Sequence, residues 1–265
     1  MKLNKALLLI QHGWVRESML IKKLIVMASI MIAPSLCIAE SETGLSLSLL
    51  TSYSQSASSL EVDGRSASFR TGGAGLKLDF DTRDVGSFYA SAGGGYLPKQ
   101  SASFAGVVLS GPADSVFYGA GYSYNYALND RLALSLIADY VSYDINGDLK
   151  GEAFSMPVRA DIESRVTMLD TSAALRLTMS PNVKAVLGAG TKRWTLDAEA
   201  DGVIGDSIAA STSVNAYSTD PQFYLGVEFT ISNVPVDIYY HRTTLEADNS
   251  VALNGVDIRV LLMQF

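Results

Sequence analysis

Residues 119–140 read Gly-Ala-Gly-Tyr-Ser-Tyr-Asn-Tyr-Ala-Leu-Asn-Asp-Arg-Leu-Ala-Leu-Ser-Leu-Ile-Ala-Asp-Tyr. Ala120, Tyr122, Tyr124 and Tyr126 alternate with Gly121, Ser123 and Asn125. After Asn129, Asp130 and Arg131, the run Leu132, Leu134, Leu136, Ala138, Tyr140 alternates with Ala133, Ser135, Ile137, Asp139. Side chains of a strand point alternately to its two faces, so this period of two predicts two strands. The Asn and Asp between them supply turn geometry, which makes the pair a hairpin.

The same alternation extends in both directions. It recurs around 45–53, 74–80, 88–96, 169–179, 183–194, 223–231, 236–241 and 256–265, for ten candidate strands in all. Connections around 83–86, 129–131, 180–182 and 232–235 are short. Those around 55–70, 98–114, 144–163, 197–220 and 243–254 are long, and the two kinds alternate. This places the tight turns at one end of an up-and-down sheet, the long loops at the other, and both termini at the tight-turn end. One irregularity stands in the last strand. Val256, Ile258, Val260 and Leu262 share a face, whereas Leu261, Met263 and Phe265 share the other, so a bulge is expected near Val260 and Leu261.

One face of these strands is Leu, Val, Ala, Phe and Tyr. The other is Gly, Ser and Thr with charges of both signs: Lys77, Asp79, Asp139, Asp170, Arg176, Lys184, Lys192, Glu228, Asp237 and Arg259. As a solvent surface that second face would be poor in Lys and Glu and rich in Gly. As an interior it makes sense, because small residues fit the curvature and opposite charges pair. The apolar face then meets lipid, where an open sheet edge would leave backbone groups unpaired at several kcal/mol each, by rough estimate. The expected fold is all-β: a closed antiparallel up-and-down transmembrane barrel of ten strands, or eight if two of them are loop hairpins. Spans of about ten residues suit an apolar band ~25 Å tall, and Tyr53, Tyr96, Tyr126, Tyr140, Tyr143 and Phe223 near strand ends suit an aromatic girdle.

The N-terminal segment reads as an address. Lys22 and Lys23 precede an apolar run over 24–33, and Cys37-Ile38-Ala39 supplies a small-residue cleavage site. Residues 1–39 are expected to be a signal peptide, with Met19 a candidate start, and 40–265 the barrel domain. The full chain has 20 Lys and Arg against 27 Asp and Glu; without residues 1–39, 15 basic residues face 26 acids, a net charge of −11. That excludes a basic nucleic-acid binder. It also leaves one His and no Cys, which excludes thiol catalysis and multi-His or Cys metal sites. No cofactor is expected.

The hairpin over 119–140 and the terminal Arg259-Val-Leu-Leu-Met-Gln-Phe265 together resemble bacterial outer-membrane barrels of the OmpA-like superfamily. The resemblance implies outer-membrane localisation in a Gram-negative envelope after export through the periplasm. It also implies Phe265 as an assembly signal, and contact with outer-membrane lipid, lipopolysaccharide and the barrel-assembly machinery. The family holds structural barrels, narrow porin-like pores, adhesins and lipid-modifying enzymes, so fold does not settle function. The leading expectation is a non-enzymatic, monomeric barrel with an envelope structural role, a narrow channel or loop-mediated surface contact. An alternative is a lipid A acyl hydrolase, since His241 followed by Thr243 resembles a barrel deacylase, with Glu246, Asp237 or Asp257 as the acid. The family's Ser-Asn-Ala after the His is here Arg242-Thr243-Thr244. A third expectation is a soluble periplasmic barrel for an apolar ligand. Asp144-Ile-Asn146-Gly-Asp148 mimics a calcium loop, but Leu149 stands where Gly is needed and Ser155 where Glu is.

Overall fold

A computed structural model describes residues 43–62, 64–82, 85–104, 107–153, 155–204 and 208–265, apart from a few side chains. The signal peptide expected over residues 1–39, with its cleavage site, lies outside these residues. Ten strands follow one another: β1 (Thr43–Val62), β2 (Arg65–Thr82), β3 (Gly86–Phe104), β4 (Val107–Ala127), β5 (Leu132–Ala153), β6 (Met156–Ser180), β7 (Val183–Ile204), β8 (Ile208–Ile231), β9 (Val234–Glu246) and β10 (Ser250–Gln264). Each pairs antiparallel with its neighbours in sequence, and β10 pairs with β1, so the sheet closes into a ring. The eight-strand alternative is thereby set aside.

Local chemistry explains the turns. Asn129 Oδ1 accepts from the backbone N–H of Arg131 and of Leu132, each at 2.9 Å, and so folds the β4–β5 turn on itself. Ser232 and Asn233 both have positive φ, 50° and 68°, the two-residue geometry that matches strand twist. The seam between β1 and β10 carries the expected irregularity, one residue later than read. Ser48 faces Leu261 and Leu47 faces Met263, so Leu262 is the extra residue. Val256, Ile258 and Val260 thereby share the outer face with Met263 and Phe265, and the Phe265 N–H donates to the Leu45 carbonyl at 2.8 Å.

The five long connections are not loops. They are continuations of the strands, and the residue ladders run through them: Asp148 faces Asp161, which faces Asp201 in turn. β6 alone has 25 residues, twice what a bilayer needs. Period two persists there, but the faces exchange roles. Near the tight-turn end, Leu49, Leu76, Leu136, Leu175, Leu187 and Leu225 point outward and stay exposed. Beyond Tyr53, Tyr96, Tyr140 and Tyr240, the outward residues become Asp144, Asp148, Asp161, Glu199 and Asp201, and the buried ones become Ile145, Leu149, Val158, Val166 and Ala200. The expectation of an apolar outside and an ionic inside therefore holds for the lower half and is reversed in the upper. The reason is the solvent: hydrocarbon surrounds the first half and water the second.

Candidate functional site

The interior has two chambers with different chemistry. The lower one, inside the apolar band, has about 1780 Å³ of empty space, some of it open to solvent. It holds the charges that alternation placed inward. Lys77 Nζ lies 2.8 Å from Asp79 Oδ1 and 3.8 Å from the centre of the Tyr89 ring. The Arg259 guanidinium is shared: its Nε donates to Asp237 Oδ2 at 2.6 Å, and its Nη1 lies 3.7 Å from Asp79. Arg176 Nη1 meets Glu228 Oε1 at 3.0 Å, and the Tyr239 hydroxyl donates to the same oxygen. Lys192 lies 4.0 Å from Asp170, which also accepts from Gln222. Asp139 bonds to Tyr89. Nine of the ten expected lumen charges thus sit together. Lys184 is the departure: it faces Glu228 in the ladder but is exposed at the tight-turn rim, with no ion pair among the described residues.

Two of these pairs reach over a whole strand. Arg259 on β10 passes β1 to find Asp79 on β2, and Arg176 on β6 passes β7 to find Glu228 on β8. Glycines make room for the lumen rings. A Cβ on Gly121 would lie 2.3 Å from the Tyr89 ring, and one on Gly255 would lie 1.9 Å from His241 Nε2.

His241 faces this lumen, but not in the expected company. Its Nε2 lies 3.2 Å from Ser54 Oγ, across the seam formed by Gly255. Thr243 is buried on the same face, and its hydroxyl donates to the Pro221 carbonyl at 3.0 Å. Glu246 is exposed on the opposite face of β9. Of the three acids expected for His241, Asp257 lines the same chamber, whereas Asp237 is taken by Arg259. A nucleophile here would open onto the lumen and not onto lipid. Among the described residues no group of three or more His, Cys, Asp or Glu could hold a metal ion, and Asp144, Asn146 and Asp148 are spread along β5.

Above the charges, an apolar layer spans the ring. Phe117, Tyr143, Met168, Trp194, Leu245 and Leu253 form one buried cluster with contributions from β1, β3 to β7, β9 and β10. Trp194 is fully buried, and its indole N–H donates to Asp220 at 2.8 Å. Phe117 and Tyr143 tilt against each other with ring centres 5.7 Å apart. The upper chamber lies beyond this layer; most of its exposed wall is aliphatic, and Arg65, Arg70, Gln100, Glu199 and Thr212 also line it. Asp161, on the outside of that upper half, has its carboxyl pKa raised by a hydrogen bond with Asp148, with burial and the charges of Asp148, Asp201 and Glu163 adding to the shift.

No protein-family model and no curated protein matches this sequence. Solved structures do. The translocator domain of the autotransporter NalP from Neisseria meningitidis is similar over 90% of this chain and 94% of that one, at 11% identity and a TM-score of 0.45. Ail, the attachment invasion locus protein of Yersinia pestis, matches over 84% and 99%, at 12% identity and 0.36. The outer membrane protease OmpT from Escherichia coli matches over 83% and 94%, at 10% identity and 0.40. These likenesses reach no further than a barrel, and none carries the narrower resemblance to OmpA-like proteins. It is the ring of ten strands, its exposed aliphatic band and its ionic lumen that give this chain the fold of an outer-membrane β-barrel.

Proposed function

We propose that this protein is a closed, non-enzymatic barrel that anchors a folded structure at the cell surface. Of the roles read from the sequence, contact through the outer half is preferred to passage of solutes. The observation that carries this is the apolar layer around Trp194 and Phe117, to which eight strands contribute fully buried side chains. Ions would have to cross this closely packed, mainly apolar layer, and the paired charges below leave few free groups to guide them. Its partners in this reading are lipid and lipopolysaccharide around the band, and the barrel-assembly machinery at Phe265. It acts as a monomer and uses neither nucleic acid nor cofactor.

In planar bilayers the purified barrel is expected to give no unitary conductance, and Trp194→Ala combined with Phe117→Ala is expected to introduce one. Steady channels from the unaltered protein would overturn the closed reading. The hydrolase alternative loses support from the positions of Thr243 and Glu246. It has its own check: lipid A from cells carrying the His241→Ala variant is expected to have the same acylation pattern by mass spectrometry as wild type.

A further inference from the structure

The upper chamber is unlike the lumen of a barrel that merely holds itself shut. Its walls include Leu60, Leu149, Ile162, Leu196, Ala200 and Val214, and the layer containing Trp194 is its floor. The empty space measures about 920 Å³, part of it open to solvent, and the centre of a water molecule can reach about 120 Å³ of it. A core without a ligand would close such a gap, because interiors pack to near crystal density.

Access comes from the side. β9 ends at Glu246 and β10 begins at Ser250, well below the top of β8. On β8 the pairing with β9 reaches only Gln222, and on β1 the pairing with β10 reaches only Ser56. Above that level no described strand pairs with the edge of β8, whereas the β9–β10 turn follows β1 as far as Glu61, whose carbonyl accepts from the Asp248 N–H at 3.0 Å. The β9–β10 turn covers part of β1, with the Asn249 amide donating to the Ser59 carbonyl at 3.0 Å. Arg65 spans what is left: its Nη1 donates to the Ser213 carbonyl at 2.6 Å. Next to Ser213, Thr212 Oγ1 is buried on the chamber wall and has no hydrogen-bond partner among the described residues. A guanidinium and an unsatisfied hydroxyl thus line the same part of the chamber, with the Glu199 carboxylate, whose residue faces Ser213, nearby.

We propose that this chamber binds one acyl chain bearing an anionic head. The chain lies against the aliphatic walls, and the head accepts from Arg65 and the Thr212 hydroxyl. Arg65 stands at the outer end of β2, seven residues beyond the partner of Tyr53, so the source is either a free fatty acid from water or a lipid chain drawn out of the bilayer. This goes beyond the closed-barrel reading and is tested by binding, so a conducting lumen would not decide it.

Apart from Trp14 in the N-terminal segment, Trp194 is the sole tryptophan, and bromine quenches indole fluorescence at close range. In the Trp14→Phe background, the full chain is folded into nanodiscs and titrated with dibromostearate. A second arm uses nanodiscs of brominated phosphatidylglycerol without added fatty acid. Saturable quenching by dibromostearate is expected, with affinity rising roughly fourfold per methylene until the chamber is full. Arg65→Gln is expected to weaken carboxylate binding about tenfold while leaving the dibromo alcohol unaffected. Ala200→Phe, which fills the chamber, is expected to abolish quenching. If that variant fails to fold, as judged by heat-modifiable migration, Arg65→Gln decides alone. Quenching only by the brominated bilayer, reduced by Arg65→Gln, keeps the acyl site and assigns its source to membrane lipid. Absence of quenching in both arms, or quenching indifferent to Arg65→Gln, overturns the proposal.

Discussion

Arg176 and Glu228 show how a charge in this lumen is made tolerable. Neither would be stable alone in a narrow, partly dry chamber, because losing water costs each ion several kcal/mol by rough estimate. Together, and with the Tyr239 hydroxyl on the same carboxylate, they tie β6 to β8. Removing one partner is therefore worse than removing both. Arg176→Ala is expected to destabilise the barrel by about 3 kcal/mol in urea titrations in lipid vesicles, whereas Arg176→Met with Glu228→Leu is expected to be near neutral. Gly255 is a second residue whose identity is dictated locally. Any side chain there collides with His241 and Ser54, so Gly255→Ala is expected to cost roughly 1–3 kcal/mol in the same titration. The inward charges were legible in the sequence because Lys77, Asp79, Asp139 and their kind fell on the strand face that is otherwise Gly and Ser. The partner of His241 was not, because Ser54 is one serine among many and lies 187 residues away across the closing seam.

At the scale of the strand, the hairpin over 119–140 revealed itself because its apolar face is made of Leu and Tyr. The upper parts of the same strands stayed hidden. Segments such as 197–220 alternate Ala and Val with Asp, Glu, Ser and Asn, and the small apolar side chains give a weak period while the polar ones resemble turn chemistry. Only the neighbouring strands show which alternate residues are buried. One rung of this outer half responds to acid. Asp161 and Asp148 face each other on β6 and β5, and the raised pKa of Asp161 means that the folded rung holds a proton more tightly than the unfolded chain. That stabilisation is full below the ordinary Asp value of about 3.9 and disappears as pH rises through the raised value. Amide exchange around residues 148 and 161 is expected to quicken between acid and neutral pH. Asp161→Asn is expected to flatten that dependence.

The whole molecule is one sheet in two solvents. Its lower band must be aliphatic outside and its upper half charged outside, and substitutions report which is which. Leu187, 64% exposed in the band, is expected to cost about 2–4 kcal/mol as Leu187→Lys, measured by vesicle refolding. Glu199→Leu, on the outer half of the same strand, is expected to change stability by less than about 0.5 kcal/mol. The exchange of faces also bears on how such a cylinder reaches its place. Asp144, Asp148, Asp161 and Asp201 decorate the outside of the outer half, and a finished tube could not push that ionised coat through hydrocarbon. The ribbon must therefore be threaded to the far side before the ring is sealed, and the portion that greets the environment is the last to acquire its shape.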